Sequence, residues 1–331
     1  MLPALDDVLA GVHVVSLPLV TRFRGITVRE AALIEGPAGW TEFSPFLEYD
    51  DAESAAWLAA ALEYGWTEPP AAYRDRIPVN ATVPAVTAAE VPAVLARYDG
   101  VTTAKVKVAE RGGTLAEDVA RVAAVRRALG EAAAVRIDAN AGWSLDEAER
   151  ALIALAPYRL EYAEQPCASI DELTALRARL GGLGVLIAAD ESVRKAEDPL
   201  RVARAGAADL LVIKAQPLGG IQRALDLVAE AGLPVVVSSA LDTSVGLAMG
   251  ARLAAALPEL PYACGLGTAS LLAADVTARP LRADGGSIGI DRIEVDRDLL
   301  DRSTAAPERR THWRERIRRC HGVLARRAAE H

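Results

Sequence analysis

From about residue 76 to residue 270 the chain repeats one pattern: a short apolar run, a polar turn, and a segment of helical periodicity. No other feature constrains the fold as much, because strands joined through helices lie parallel in one sheet. Candidate strands are 77–83, 102–108, 134–140, 159–166, 184–190, 209–217, 234–241 and 262–267. Helical patterns such as TLAEDVARVAAVRRALG and SLDEAERALIALAPY lie between them. Capping boxes predict helix starts at Thr114/Glu117, Ser144/Glu147 and Ser169/Glu172. Gly130, Gly181, Gly182, Gly206 and Gly232 mark returns toward the strands. Eight strands with crossover helices predict a parallel (β/α) barrel of the α/β class rather than an open doubly wound sheet. No G-x-G-x-x-G opens a helix after the first strand, which weakens a dinucleotide fold. The segments share pattern but not sequence, so the chain is not a solenoid.

The two ends read differently. Residues 12–46 alternate strand-like pieces with turns, and residues 51–64 read as a helix. The tail gives a short strand-like piece, GSIGIDRIEVD, and then an arginine-rich helix. The expectation is a small α+β unit built from both ends and packed on the barrel mouth. Its parts are 1–76 and 283–331, with the barrel spanning 77–282.

Composition bounds the function. Apolar residues at 51% and charged residues at 25% suit a globular protein with a large core. A net charge of −8 disfavours non-specific binding to nucleic acid or anionic membrane. The tail RRTHWRERIRRCHGVLARRAAEH carries acidic residues too, and reads as a solvated helix face rather than a nucleic-acid patch. No run of ~18 apolar residues predicts a membrane span, and no signal peptide is apparent in MLPALDDVLAG. Cys167, Cys264 and Cys320 are scattered and odd in number, which predicts reduced thiols and a cytoplasmic protein. The histidines, His13, His312, His321 and His331, all lie near the termini, so a zinc site is not expected. The oligomeric state is not readable from the sequence.

Only four of the 37 basic residues are lysines: Lys105, Lys107, Lys195 and Lys214. Lysine can give up its proton where its surroundings penalise the charge, and arginine cannot. In VTTAKVKVA, Lys105 and Lys107 face one side of a strand while Val106 and Val108 face the other. Asp138, Glu164 and Asp190 end the next three strands at equal steps of 26 residues, and Lys214 ends the sixth. One strand-plus-helix unit returns the chain to the same level, so all these groups collect at the C-terminal mouth, where barrel active sites lie. Buried carboxylates need a cation among them. Three hard oxygen donors without His or Cys suit Mg²⁺, with Mn²⁺ as a substitute. A substrate carboxylate bound there would hold its α-carbon between Lys107 and Lys214. A neutral lysine could then remove the α-proton, with the ion stabilising the charge that develops. The charge of Lys105 and the nearby ion are expected to lower the Lys107 pKa.

These residues resemble the enolase superfamily, muconate-lactonizing subgroup. The likeness rests on KVK at 105–107, RIDAN at 136–140, EYAEQP at 161–166, AADES at 188–192 and VIKAQPLGG at 212–220. It implies a (β/α)7β barrel with an α+β capping domain, metal ligands Asp138, Glu164 and Asp190, and acid/base lysines Lys107 and Lys214. Further segments, VVSLPLVTRFRGITVREAALIEG, GWTEFSPFLEYDDAESAAWLAAALE and SSALDTSVGLAMG, are similar to actinobacterial o-succinylbenzoate synthases of the menaquinone pathway. That resemblance implies dehydration of a small cyclohexadiene carboxylate. Lys107 would take the α-proton and return it to the departing hydroxyl, and Lys214 would lie over the opposite face. Substrate contacts are expected from Lys105, Asn140, Ser238, Ser239, Arg22 and Phe23, with 22–25 and 46–49 forming a lid. An N-succinylamino acid racemase, a dipeptide epimerase and a non-catalytic metal-binding barrel stay open as alternatives.

Overall fold

The computed structural model describes residues 2–194 and 200–330. A short helix, Leu5–Ala10, precedes three antiparallel strands: β1 (Val12–Phe23), β2 (Ile26–Gly36) and β3 (Gly39–Phe43). The β1–β2 turn needs positive φ, and Arg24 and Gly25 supply it at 49° and 80°. The helix Asp51–Trp66 follows, opened by the Asp50 side chain accepting from the Glu53 amide. It packs against the C-terminal helix Pro307–Ala329, and Val14, Phe43, Trp57, Trp313, Ile317 and Cys320 share one core. Both ends of the chain thus build a single α+β cap. Of the C-terminal helix's arginines, Arg316 is buried, whereas Arg310, Arg318 and Arg319 face solvent.

The middle of the chain is a parallel sheet of seven strands. These are β5 (Ala81–Val83), β6 (Thr103–Lys107), β7 (Ala134–Asp138), β8 (Leu160–Glu164), β9 (Leu186–Ala189), β10 (Leu210–Ile213) and β11 (Val235–Val237), adjacent in chain order. Parallel bridges Val79↔Cys264 and Ser238↔Gly265 join the two edges through residues 264 and 265. That seam closes the (β/α)7β barrel. The expected eighth strand at 262–267 makes only one bridge on each side, because the chain turns at once into the 3₁₀ turn Gly267–Leu271. All three capping boxes form, at Thr114/Glu117, Ser144/Glu147 and Ser169/Glu172.

Several strands are shorter than the sequence predicts. The stretch 77–83 divides: β4 (Arg76–Pro78) pairs antiparallel with β12 (Ser287–Gly289), Val79 bridges to Cys264 at the seam, and Ala81–Val83 pairs with β6. The stretch 209–217 ends at Ile213 and turns into a short helix, Ala215–Leu218. Pro217 has no amide to donate to a sheet ladder. Ile288 and Ile290 pack in the barrel core, whereas Ala305 and Trp313 belong to the cap core. Among the described residues, no helix is long and apolar enough to cross a membrane. Cys167, Cys264 and Cys320 are free and buried.

Candidate active site

Strand register brings the ionisable residues to one level. Lys107 pairs with Asp138 and Asp138 with Glu164, while Ala188, two residues before Asp190, pairs with Glu164. β6 is an inner strand, so Lys105 is buried inside the barrel with Val106 and Val108 packed outward in the core. Lys105 Nζ donates to both Glu164 carboxylate oxygens at 3.0 and 2.8 Å and lies 3.3 Å from Asp138 Oδ2. Lys107 Nζ contacts Asp138 Oδ2 at 2.5 Å and Asn140 Oδ1 at 2.6 Å. Lys214 Nζ contacts Asp190 Oδ2 at 2.5 Å. Asn140 sits in the left-handed region at φ 45°, which turns its side chain back toward Lys107.

The electrostatics separate the two lysines of the KVK motif. Burial pushes the Lys107 pKa down, Asp138 opposes that, and the charge of Lys105 adds to the lowering. The direction is as expected, but burial rather than Lys105 is the largest cause. Burial also acts against a charged Lys105, yet Glu164 and Asp138 together outweigh it and hold its pKa above the ordinary lysine value. Burial, then the charge of Asp138, pushes Glu164 up to about 7, whereas Lys107 and Lys105 overcome burial at Asp138 and hold it low. Among the described residues no three His, Cys, Asp or Glu side chains are already arranged as metal ligands. The carboxylates of the row are instead turned toward lysine ammonium groups.

These groups line an inner cavity of about 30 Å³ together with Phe23, Arg24, Ser238, Ser239 and Thr268. Ser239 Oγ is held by Gly265 O at 2.9 Å and Thr268 Oγ1 at 2.8 Å. An outer hollow of about 540 Å³ is lined by Arg22, Phe23, Arg24, Lys107 and Arg111. Phe23, Arg24, Lys107 and Asn140 line both, and the Phe23 ring lies 5.4 Å from Lys107 Nζ. Arg22 is exposed and lines the outer hollow, while Arg24 lines both. The larger hollow of about 820 Å³ lies beside the β4–β12 pair and holds none of these lysines.

The segment 46–49 is not a lid over the cavity. Phe46 and Tyr49 pack edge-on in the cap core beside Trp57. Arg316 Nη2 fixes their carbonyls at 2.8 and 2.6 Å. Aromatic burial against Trp57 wins over exposure at the mouth. Sequence reasoning gave no role to Gln165, whose Oε1 accepts from the Asp190 and Ser192 amides at 2.9 and 3.2 Å. Its place inside EYAEQP, directly after Glu164, was the available signal.

Comparison with known proteins bears on this site. The model of the enolase C-terminal domain-like family matches residues 87–293, and that of the enolase N-terminal domain-like family matches residues 14–65. A protein of Mycolicibacterium smegmatis named o-succinylbenzoate synthase is 56% identical over 97% of this chain and 98% of its own. One of Mycobacterium leprae with the same name is 54% identical over 98% of this chain and 95% of its own. The chain belongs to the o-succinylbenzoate synthase family of the enolase superfamily. Enolase-superfamily enzymes generally depend on a divalent metal ion. Among solved structures, 2-chloromuconate cycloisomerase from Rhodococcus opacus superposes with a TM-score of 0.76 at 24% identity, covering 89% of this chain and 98% of that one. N-succinyl Arg/Lys racemase from Bacillus cereus gives 0.72 at 20% identity, over 89% and 97%. At such identities the superpositions speak to the enolase-superfamily fold alone.

Proposed function

We propose that this chain is an o-succinylbenzoate synthase that dehydrates 2-succinyl-6-hydroxy-2,4-cyclohexadiene-1-carboxylate to o-succinylbenzoate and water in menaquinone biosynthesis. One observation carries the reading: Lys107 and Lys214, from β6 and β10, flank a single row of three buried carboxylates. The 56% identity to a protein of that name supports it. Lys107 is the base. Burial favours its neutral form, and Asn140 Oδ1 fixes the direction of its nitrogen. It takes the α-proton and returns it to the departing hydroxyl on the same face. Lys214 stays charged over the opposite face, where an ammonium against a ring becoming aromatic is favourable by ~1–2 kcal/mol. Ser238, Ser239 and the amides of their loop hold the succinyl carboxylate.

Asp138, Glu164 and Asp190 fit a divalent ion. Among the described residues and with Lys107 neutral, the ammonium groups against these three buried carboxylates are Lys105 and Lys214, a setting that suits a further cation. Mg²⁺ is the ion whose preferences match such donors, with Mn²⁺ as the substitute. Bound there, it would supply electrostatic stabilisation of the charge that develops on the substrate carboxylate. Lys105 would stay charged beside Glu164 and keep that carboxylate ionised.

A cavity of about 30 Å³ holds about one water. Substrate entry therefore requires Phe23 and the Arg22–Gly25 turn to move outward, opening the inner cavity into the hollow beside it. Three buried thiols suit a reducing, cytoplasmic setting. The test is turnover by the purified chain with Mg²⁺, followed by loss of diene absorbance, beside racemisation of N-succinylamino acids. Dehydration that dominates, and stops when chelator removes the metal, supports the reading. Racemisation far faster than dehydration, or full activity in excess chelator, overturns it.

A further inference from the structure

Two charged residues of the cap reach into the barrel without touching the cavity. Arg29 on β2 is 3% exposed and Glu42 on β3 is fully buried. Arg29 Nε donates to the Leu241 carbonyl at 3.1 Å, and Nη2 donates to Ser44 Oγ at 2.9 Å and to the Ser44 carbonyl. Ser44 Oγ donates onward to Glu42 Oε1 at 2.5 Å. Glu42 Oε2 then accepts from the Thr243 amide at 3.0 Å, Thr243 Oγ1 at 2.6 Å and the Gly246 amide at 3.1 Å. One unbroken polar chain thus runs from the cap sheet to the first turn of the helix Ser244–Ala256.

The barrel side is shaped to receive it. A β-carbon at Gly246 would lie 2.7 Å from Glu42 Oε2, so glycine is what admits the carboxylate. Leu241 has φ 64°, a left-handed conformation that a branched side chain adopts only when its surroundings impose it. Its carbonyl is clamped by Arg29, and its side chain packs against Phe23 and Leu271. Ser238, Ser239, Ala240 and Leu241 all line the inner cavity, while neither Arg29 nor Glu42 does.

We infer that Arg29 and Glu42 are positioning residues: from the cap, they set the 238–242 loop in the shape that recognises the second carboxylate of the substrate. The inference rests on the function proposed above. It makes recognition of that carboxylate a property of how the cap seats on the barrel, although the recognising loop belongs to the barrel. The proton-transfer groups stand on other strands, so losing the clamp acts on KM more than on kcat.

The experiment compares the natural dicarboxylate with its analogue bearing a primary amide in place of the succinyl carboxylate. Wild type is expected to favour the acid over the amide in kcat/KM by about tenfold or more. Arg29→Met is expected to raise KM for the acid about tenfold, hold kcat within about threefold, and bring the acid-to-amide ratio toward one. Arg29→Lys, which keeps the charge but not the fork, should fall between them. Should Arg29→Met fail to fold, Glu42→Gln carries the same measurement, since it keeps the shape and removes the charge. A purely structural role would lower the melting temperature and leave the ratio of the folded enzyme unchanged. That result in both variants overturns the inference alone. A wild type that turns over the acid and the amide equally well overturns the loop's assignment to the carboxylate, and this inference with it.

Discussion

Lys107 and Lys214 stand at equivalent strand ends, yet their surroundings differ. Each contacts an aspartate at 2.5 Å, but Lys107 also has a second lysine two residues away and a pKa lowered chiefly by burial. In the proposed dehydration one must cycle its proton and the other need only be charged. Lys107→Arg should therefore abolish turnover, because arginine keeps the charge and cannot release the proton. Lys214→Arg should keep measurable activity while Lys214→Ala loses far more, both read from steady-state dehydration rates. Equal loss in both arginine variants would contradict the division of labour. The pH profile follows with a definite sign. The base must be neutral, so kcat/KM should rise with pH through the Lys107 ionisation, at a pH below the ordinary lysine range. A profile flat to the ordinary lysine value would remove Lys107 from the role of base. Most of these residues were legible beforehand, because a strand-plus-helix unit returns to the same level each time. Arg22 and Arg24 were not separable, since the register of β1 shifts between Pro18 and Phe23 and period-two counting fails across such a break.

At the scale of elements, local chemistry did most of the work in the helices and less in the strands. The three capping boxes formed as the residue types demanded, since Ser or Thr and a Glu three residues on satisfy each other's backbone donors. Ser144→Ala should cost about 1 kcal/mol and lower the melting temperature by about 1–2 °C in a chain this long, with kinetic constants unchanged. A melting curve beside a kinetic assay checks both halves. Strand ends were less legible. Apolar residues at 209–217 read as one run, but β10 stops at Ile213 and the chain turns at Ala215. An apolar run reports burial, which a buried turn shares with a buried strand.

Across the whole molecule, the cap depends on a single buried arginine from the last helix. Arg316, 2% exposed, donates to Pro45 O at 3.3 Å, Phe46 O at 2.8 Å, Tyr49 O at 2.6 Å and Ser54 Oγ at 2.8 Å. Arg316→Met removes every donor while the acceptors stay buried, which should cost about 3–5 kcal/mol. The melting temperature should fall by about 5 °C. The aromatic cluster of Phe46, Tyr49 and Trp57 should loosen with it, visible as increased quenching of tryptophan emission. Unchanged stability would mean that water replaces the guanidinium at no net loss. An arginine-rich helix on an acidic chain read as a solvated face, and Arg310, Arg318 and Arg319 are exposed. That Arg316 is buried follows from sharing a face with Trp313, Ile317 and Cys320, a spacing already present in the sequence.

The sequence by itself determined the barrel, the level of its strand ends and the row of acids and lysines there. Those depend on local periodicity and on a repeated unit, both of which are properties of neighbouring residues. Only the tertiary structure decided which cap residues meet the barrel. Arg29 finds Leu241 across 212 positions and Glu42 finds Thr243 across 201, and nothing in either neighbourhood specifies the other. It also decided that Phe46 and Tyr49 are core rather than lid, and that Phe23 alone of the expected aromatics walls the cavity. Such pairings arise when two hydrophobic faces are pressed together and every buried donor must then find an acceptor.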